Sequence, residues 1–402
     1  MVMHRFLNRS DILPPITFLA ARLILILSLP YESVNGYGDF PHFFHMAGMG
    51  KPFIDFWIEF PPLFPFLSRG IYLLAGGSEH VYQYLLVLIF TLVQAAGIWV
   101  FIRIGCRIFP PQLAVRRSWV YLALLVPLFY GWTYFDPLAV LAMLLGLYWL
   151  MEGKDWSAGL ALAAGTLVKL FPALTLIVAW KVRPLPRAAR ITLLTIGITI
   201  GVYAVLYIAA PQMTLASIRA QPNKGSWETL WALLDKNLST GNFGPEIERF
   251  DPRNASVPIG NPAQIPSWLT LIPLAIIGAW VFWKSRVKTD RAMVALLGIT
   301  WVIFTLWSPG WSPQWVLYFL PLILLSLPEK KGYLTAVIFV LVNLLEWPVL
   351  LSRGYNWGLW ITVLLRMVIL IMMGVEFWKL ILPANPVIEE DNSWTIHADL
   401  SS

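Results

Sequence analysis

Carboxylates and imidazoles crowd one short stretch, residues 37–62, YGDFPHFFHMAGMGKPFIDFWIEFPP, which sets Asp39, His42, His45, Asp55 and Glu59 among aromatic residues and prolines. An acid walled by Tyr37, Phe40, Phe43 and Phe44 is desolvated, and desolvation raises its proton affinity toward that of a general base. Asp39 has a plainer use as well: with Pro41 just behind it, it fits a helix N-cap. His42 and His45 follow at i+3 and i+6, so a helix through them puts all three on one face. Asp-x-x-His-x-x-His can in principle hold a metal. Such histidines are more often interfacial hydrogen-bonders, the chain offers no convincing fourth ligand, and neither metal nor cofactor is expected. Asp55 and Glu59 are spaced i, i+4 and would share a face, holding a sugar's hydroxyls or simply facing water.

The elements that must position this stretch are set by the composition. The chain has 402 residues, of which 58% are hydrophobic and 13% charged, with 21 Trp and a net charge of +7. A soluble multidomain protein is excluded. The basic residues lie between apolar runs, where they orient a chain in a bilayer, and no nucleic-acid motif accompanies them. The single cysteine, Cys106, excludes a disulfide framework. The first apolar run has no cleavage site behind it, so no signal peptide is expected.

Runs near the roughly 20 apolar residues that span a bilayer occur at 14–30, 80–104, 117–131, 135–151, 191–210, 268–283, 293–308, 315–327, 333–351 and 357–380. Lys and Arg in short loops stay cytoplasmic, which arbitrates two ambiguous segments. If 61–75 crossed the bilayer, Arg103, Arg107, Arg116 and Arg117 would be external. It therefore reads as a juxtamembrane helix, starting at Pro61 and Pro62 with Arg69 in its middle. Glu152 to Asp155 and the Lys181, Arg183, Arg187, Arg190 cluster share a side only if 156–180 enters and returns, with a break near Lys169 between Gly165 and Pro172. The expectation is an all-α polytopic bundle of about 12 transmembrane helices in one membrane domain, 1–402. Two large external loops follow, 31–79, with juxtamembrane helices, and 211–267, and a polar tail, 385–402, is cytoplasmic.

Charge at membrane depth costs at least a few kcal/mol and persists with a partner or a task. Lys169, at the hairpin break in GTLVKLFP, can meet a lipid phosphate as a point charge; Arg22 and Arg366 can do the same, or pair with helix carbonyls and snorkel. In WTYFDP, Asp136 stands at a helix start, where capping is the plain reading. RAQPNKGSWETLW, residues 219–231, combines Arg219, Lys224, Trp227 and Glu228, which suits a lipid-linked phosphorylated sugar or an interfacial amphipathic helix. WSPGWSPQW, residues 307–315, offers Gln314 and tryptophans for sugar stacking or for an interface belt.

These motifs together resemble the GT-C-type glycosyltransferases, and among them the polyprenol-phosphate-mannose-dependent mannosyltransferases of glycosyltransferase family 87. The first loop matches at Gly38, Asp39, Gly50, Pro52, Phe53, Asp55, Phe56, Glu59, Phe60, Pro61, Pro62 and Leu63. LVKLFPAL, SWETLWALL and SPQWVLYFLP resemble three later motifs of the group, in order. Phe44, Phe53 and Phe60 stand where the group usually carries Tyr. The resemblance implies a GT-C fold and an inverting transfer of a sugar, mannose first, from a polyprenyl-phosphate donor to a hydroxyl of a glycan, lipid or protein acceptor. The setting it implies is the outer face of a prokaryotic plasma membrane. Asp39 maps onto the catalytic base. Lys169 and then Arg219 are the candidates for the donor phosphate, and His42, Asp55, Glu59, Asp136 and Gln314 for substrate. The rival from another class is a transporter or flippase of lipid-linked sugars, whose site would lie at mid-membrane between broken helices.

Overall fold

The computed structural model describes residues 9–35, 38–239, 241 and 243–382, so Tyr37 and the tail 385–402 lie outside the described residues. Within them the chain is all helix and loop: three isolated β-bridges form, and no strand. Seven helices are long and apolar enough to cross a membrane: Asp11–Ser28, Glu79–Ile108, Leu185–Ala209, Ser267–Lys284, Asp290–Trp307, Glu329–Arg353 and Asn356–Ile381. They mark a multi-pass membrane protein. Four shorter apolar helices, Leu63–Leu74, Asp136–Met151, Phe171–Val182 and Pro313–Ser326, fill in among them.

Burial sorts these helices by the width of their apolar face. Every residue of Val316–Ser326 is buried, as an all-round apolar helix in a bundle centre must be. Ser267–Lys284 buries only Thr270 and Val281, so the rest of its apolar surface, Trp268 and Trp283 included, is left for lipid. Asp136–Met151 packs between Glu79–Ile108 and Asp155–Val168.

The hairpin expected over 156–180 forms. Asp155–Val168 stops at Lys169, whose backbone is extended at φ −158°, ψ 139°. The chain resumes as a 3-10 turn, Phe171–Thr175, and then the helix Leu176–Val182. Pro172 cannot continue a helix, and a Cβ on Gly165 would lie 2.8 Å from its Cγ, so the reversal needs glycine there. Both arms start and finish at one end of the bundle: Asp155 receives Arg183 Nε at 3.0 Å and Arg187 Nε at 2.5 Å.

The same end gathers the other loop charges. Arg107 bonds Glu152 and lies 2.7 Å from Asp290, Arg116 lies 2.5 Å from Glu329, and Lys331 lies 3.4 Å from Glu376. These are exposed pairs worth up to about 1 kcal/mol each, and their information is positional: the loops assigned to one side do meet. One boundary differs from expectation. The apolar run 117–131 is instead the helix Pro111–Leu125 followed by a short turn, Tyr130–Thr133. Pro110 and Pro111 set its start, and Pro127 forbids carrying it further.

At the opposite end the two long loops interlock. After the helix Phe40–Met49, residues 50–56 close a tight turn in which Phe53 N donates to Phe56 O at 3.0 Å. The chain then runs extended against the second loop: Trp57 N donates to Arg249 O at 3.0 Å, Ile58 N to Ser217 Oγ at 3.0 Å, and Gln221 Nε2 to Glu59 O at 3.3 Å. The helix Leu63–Leu74 follows, its Arg69 guanidinium donating to Ala47 O at 2.5 Å.

Candidate active site

Where the loops meet the bundle lies a cavity of about 1330 Å³. Its polar wall comes from Asp39, His42, His45, Glu59, Lys169, Lys224, Glu246, Arg249 and Gln314, and its apolar wall from Phe60, Phe135, Phe171, Phe304, Trp307 and Trp315.

Asp39 heads the helix Phe40–Met49, yet its side chain makes no capping hydrogen bond. The carboxylate is left to the cavity, where desolvation holds it above the usual carboxylate range despite the opposing charges of His42 and Lys224. Its position is set from behind. A Cβ on Gly38 would fall 2.2 Å from Thr133 Cβ, so only glycine lets the loop press this closely on the Tyr130–Thr133 turn. Phe40 and Phe43 are buried beneath, the latter in a ring cluster with Phe64 at 4.9 Å, which stacks on Phe135 at 4.1 Å.

Glu59 is buried against Arg249, which clasps it with both nitrogens, one at 3.1 Å; the guanidinium also lies over Trp57 at 4.9 Å. The arginine charge and hydrogen bonds outweigh desolvation and hold Glu59 below the usual range. Lys224 sits in an aromatic clamp, 4.0 Å from the Trp227 ring and 4.5 Å from Phe243, and burial lowers its pKa to about 8. Lys169, at the hairpin tip, donates to Asp136 Oδ1 at 2.8 Å and lies 5.3 Å from the Phe135 and Phe171 rings.

The structure places several of the expected residues away from the cavity or from a shared helix face. Asp55 and Glu59 do not share a helix face, because residues 50–59 form a turn and an extended run. Asp55 Oδ2 instead accepts Lys51 N at 2.6 Å, outside the cavity, and Gly50, at φ +139°, leaves room for it. Asp136 lies behind the cavity wall as the buried partner of Lys169. Arg219 is exposed on Pro211–Ala220 and does not line the cavity; Lys224, five residues on, does. Arg366 binds Glu346 and the Glu228 carbonyl, and Arg22 donates to Leu125 O between the rings of Phe18 and Trp132. Glu246 and Arg249 carried no motif signal of their own. Lys224 had one, since it stands three residues before Trp227 in a basic, aromatic stretch.

The cavity extends between two of the membrane-length helices. The hairpin arm Leu176–Val182 packs against both Leu185–Ala209 and Asp290–Trp307. Beyond its tip, at Leu170 and Phe171, the space between those two helices is cavity, walled by Ile200, Tyr203, Ala204 and Tyr207 on one and Phe304 and Trp307 on the other. Ile200 and Tyr207 are exposed.

Among the described residues no three His, Cys, Asp or Glu side chains converge as a metal site. Comparison with protein-family models, with curated proteins and with solved structures finds no match.

Proposed function

We propose that this chain is an inverting, GT-C-type glycosyltransferase that moves a sugar, mannose first, from a polyprenyl-phosphate donor to an acceptor hydroxyl outside the cytoplasm. The observation that carries the reading is Asp39: an uncapped, desolvated carboxylate facing a large cavity whose other walls hold cations and whose side opens between membrane helices. In this reading the short helices complete about twelve crossings with both chain ends cytoplasmic. The donor's isoprenoid tail stays in lipid at the Ile200–Tyr207 side, and its phosphate lies by Lys224 and Lys169. The acceptor hydroxyl loses its proton to Asp39 as its oxygen bonds the anomeric carbon. The carbon–oxygen bond to phosphate breaks with its electron pair on the phosphate, where the lysines offset the developing charge. A transporter is disfavoured by placement: seven of the cavity's ionisable side chains, Asp39, His42, His45, Glu59, Lys224, Glu246 and Arg249, come from the two long loops.

The test is transfer of labelled sugar from a panel of polyprenyl-phosphate donors by purified protein in liposomes. Asp39→Asn should lower transfer by about 10²–10⁴-fold while donor binding persists. Undiminished transfer in that variant, or movement of donor between leaflets without transfer, would overturn the reading.

A further inference from the structure

A base that takes a proton in every turnover must also lose it, and the wall beside Asp39 carries a way out. His42 is one helical turn from Asp39 on the same cavity-facing helix. Its Nδ1 lies 2.5 Å from Glu246 Oε1, and the other carboxylate oxygen, Oε2, lies 3.5 Å from His45 Nδ1. The row ends in water: the His42 and Glu246 side chains are 29% and 28% exposed, and that of His45 is 60% exposed. Glu246 comes from the second loop, on the 3-10 turn Glu246–Phe250 that also supplies Arg249.

The geometry assigns Glu246 as the positioning residue for a proton exit through His42. The assignment rests on Asp39 being the base. A carboxylate only accepts, so the contact requires the hydrogen to be on Nδ1, which leaves the lone pair of neutral His42 on Nε2. After transfer, the proton on Asp39 passes to that nitrogen, giving an imidazolium whose Nδ1–H stays bonded to Glu246. The imidazolium then gives its Nε2 proton to water in the cavity while Nδ1–H stays on Glu246, which restores both groups, and no other reactant is consumed. Asp39, Glu59, Lys169, Lys224 and Arg249 are the other charged groups that line the cavity. Glu59 and Arg249 neutralise each other, so Glu246 is the acid left to hold the imidazole.

The experiment compares wild type, Glu246→Gln, Glu246→Asp and Asp39→Asn in the liposome assay, with and without added imidazole. For Glu246→Gln, steady-state kcat should fall roughly 10-fold to 100-fold, less than the roughly 10²–10⁴-fold effect of losing a base outright. The donor KM should not change, and imidazole should restore much of the rate. Glu246→Asp, which keeps a carboxylate, should recover part of it unaided. A raised KM with no imidazole rescue would make Glu246 a substrate or structural contact and overturn the assignment, as would unchanged kcat. If Asp39→Asn keeps full activity, the base reading fails and the exit fails with it. If Asp39→Asn is dead and Glu246→Gln is normal, only the exit fails.

Discussion

Asp39 and Lys224 are displaced toward neutrality from opposite directions by the same cause, withdrawal from water. Burial lifts the Asp39 carboxyl above its ordinary range and lowers the Lys224 ammonium to about 8. A raised acid is a usable base only above its shifted pKa, so transfer should fall as pH drops through a point above the ordinary aspartate value. A lowered ammonium is a usable cation only below its own, so transfer should fall again above pH about 8. A pH–rate profile of kcat/KM should therefore be bell-shaped, and Lys224→Met should lower its plateau and remove the alkaline limb. An alkaline limb unchanged in Lys224→Met would assign it to another group. Asp39 stood out in the sequence through the first-loop motif around Gly38, while its place before Pro41 pointed first to a helix N-cap; the fold shows that it makes no capping hydrogen bond. Lys224 was overshadowed by Arg219, since only the fold shows that Trp227 and Phe243 close over one of these cations and leave the other in solvent.

The two long loops hold each other, and their strongest clasp is Glu59 with Arg249. Both are buried, so Arg249→Met strands a carboxylate and should destabilise the protein by about 3–5 kcal/mol, whereas Glu59→Gln with Arg249→Met together should cost much less. Because the pair holds Glu59 below its ordinary pKa, its contribution is present above the unfolded-state value and is lost as pH falls through the depressed one. Thermal unfolding in detergent at neutral and acidic pH checks both points; equal Tm losses for the single and double variants would show that the pair is not what joins the loops. The clasp was unreadable in the sequence for a physical reason. The i, i+4 spacing of Asp55 and Glu59 reads as one helical face, but Gly50 at φ +139° and Phe53 at φ +66° turn the chain instead, and Asp55 is spent closing that turn. The hairpin was readable, because Gly165, Lys169 and Pro172 announce a break and the flanking charges require a return. A second contact acts at the same scale: a Cβ on Gly310 would fall 2.2 Å from the Trp227 ring. Gly310→Ala should displace that indole from Lys224 and weaken donor binding more than it lowers Tm, measured as donor KM beside a melting curve.

At the scale of the molecule, apolar runs fixed the all-helical membrane bundle in advance, and Lys and Arg placement ordered its loops, because both follow from the bilayer as solvent. What hydropathy does not encode is where the bundle is left open. The opening arises because the arm Leu176–Val182 is too short to cross and stops at Phe171, between two helices it separates only part of the way. Leu185–Ala209 buries Ala188, Ile191, Thr195, Thr199 and Leu206, and its surface on the cavity wall includes the exposed Ala204. A donor reaching the cavity from the bilayer must lay its chain across that surface, while a soluble short-chain analogue need not. Ala204→Trp narrows the opening without touching Asp39, Lys169 or Lys224. It should raise the KM for a long-chain polyprenyl-phosphate sugar and leave the kinetics of a short-chain donor close to wild type. Equal impairment of both donors would place the route elsewhere, through the loop side at His45 and Glu246, and would separate the position of the base from the path of the lipid.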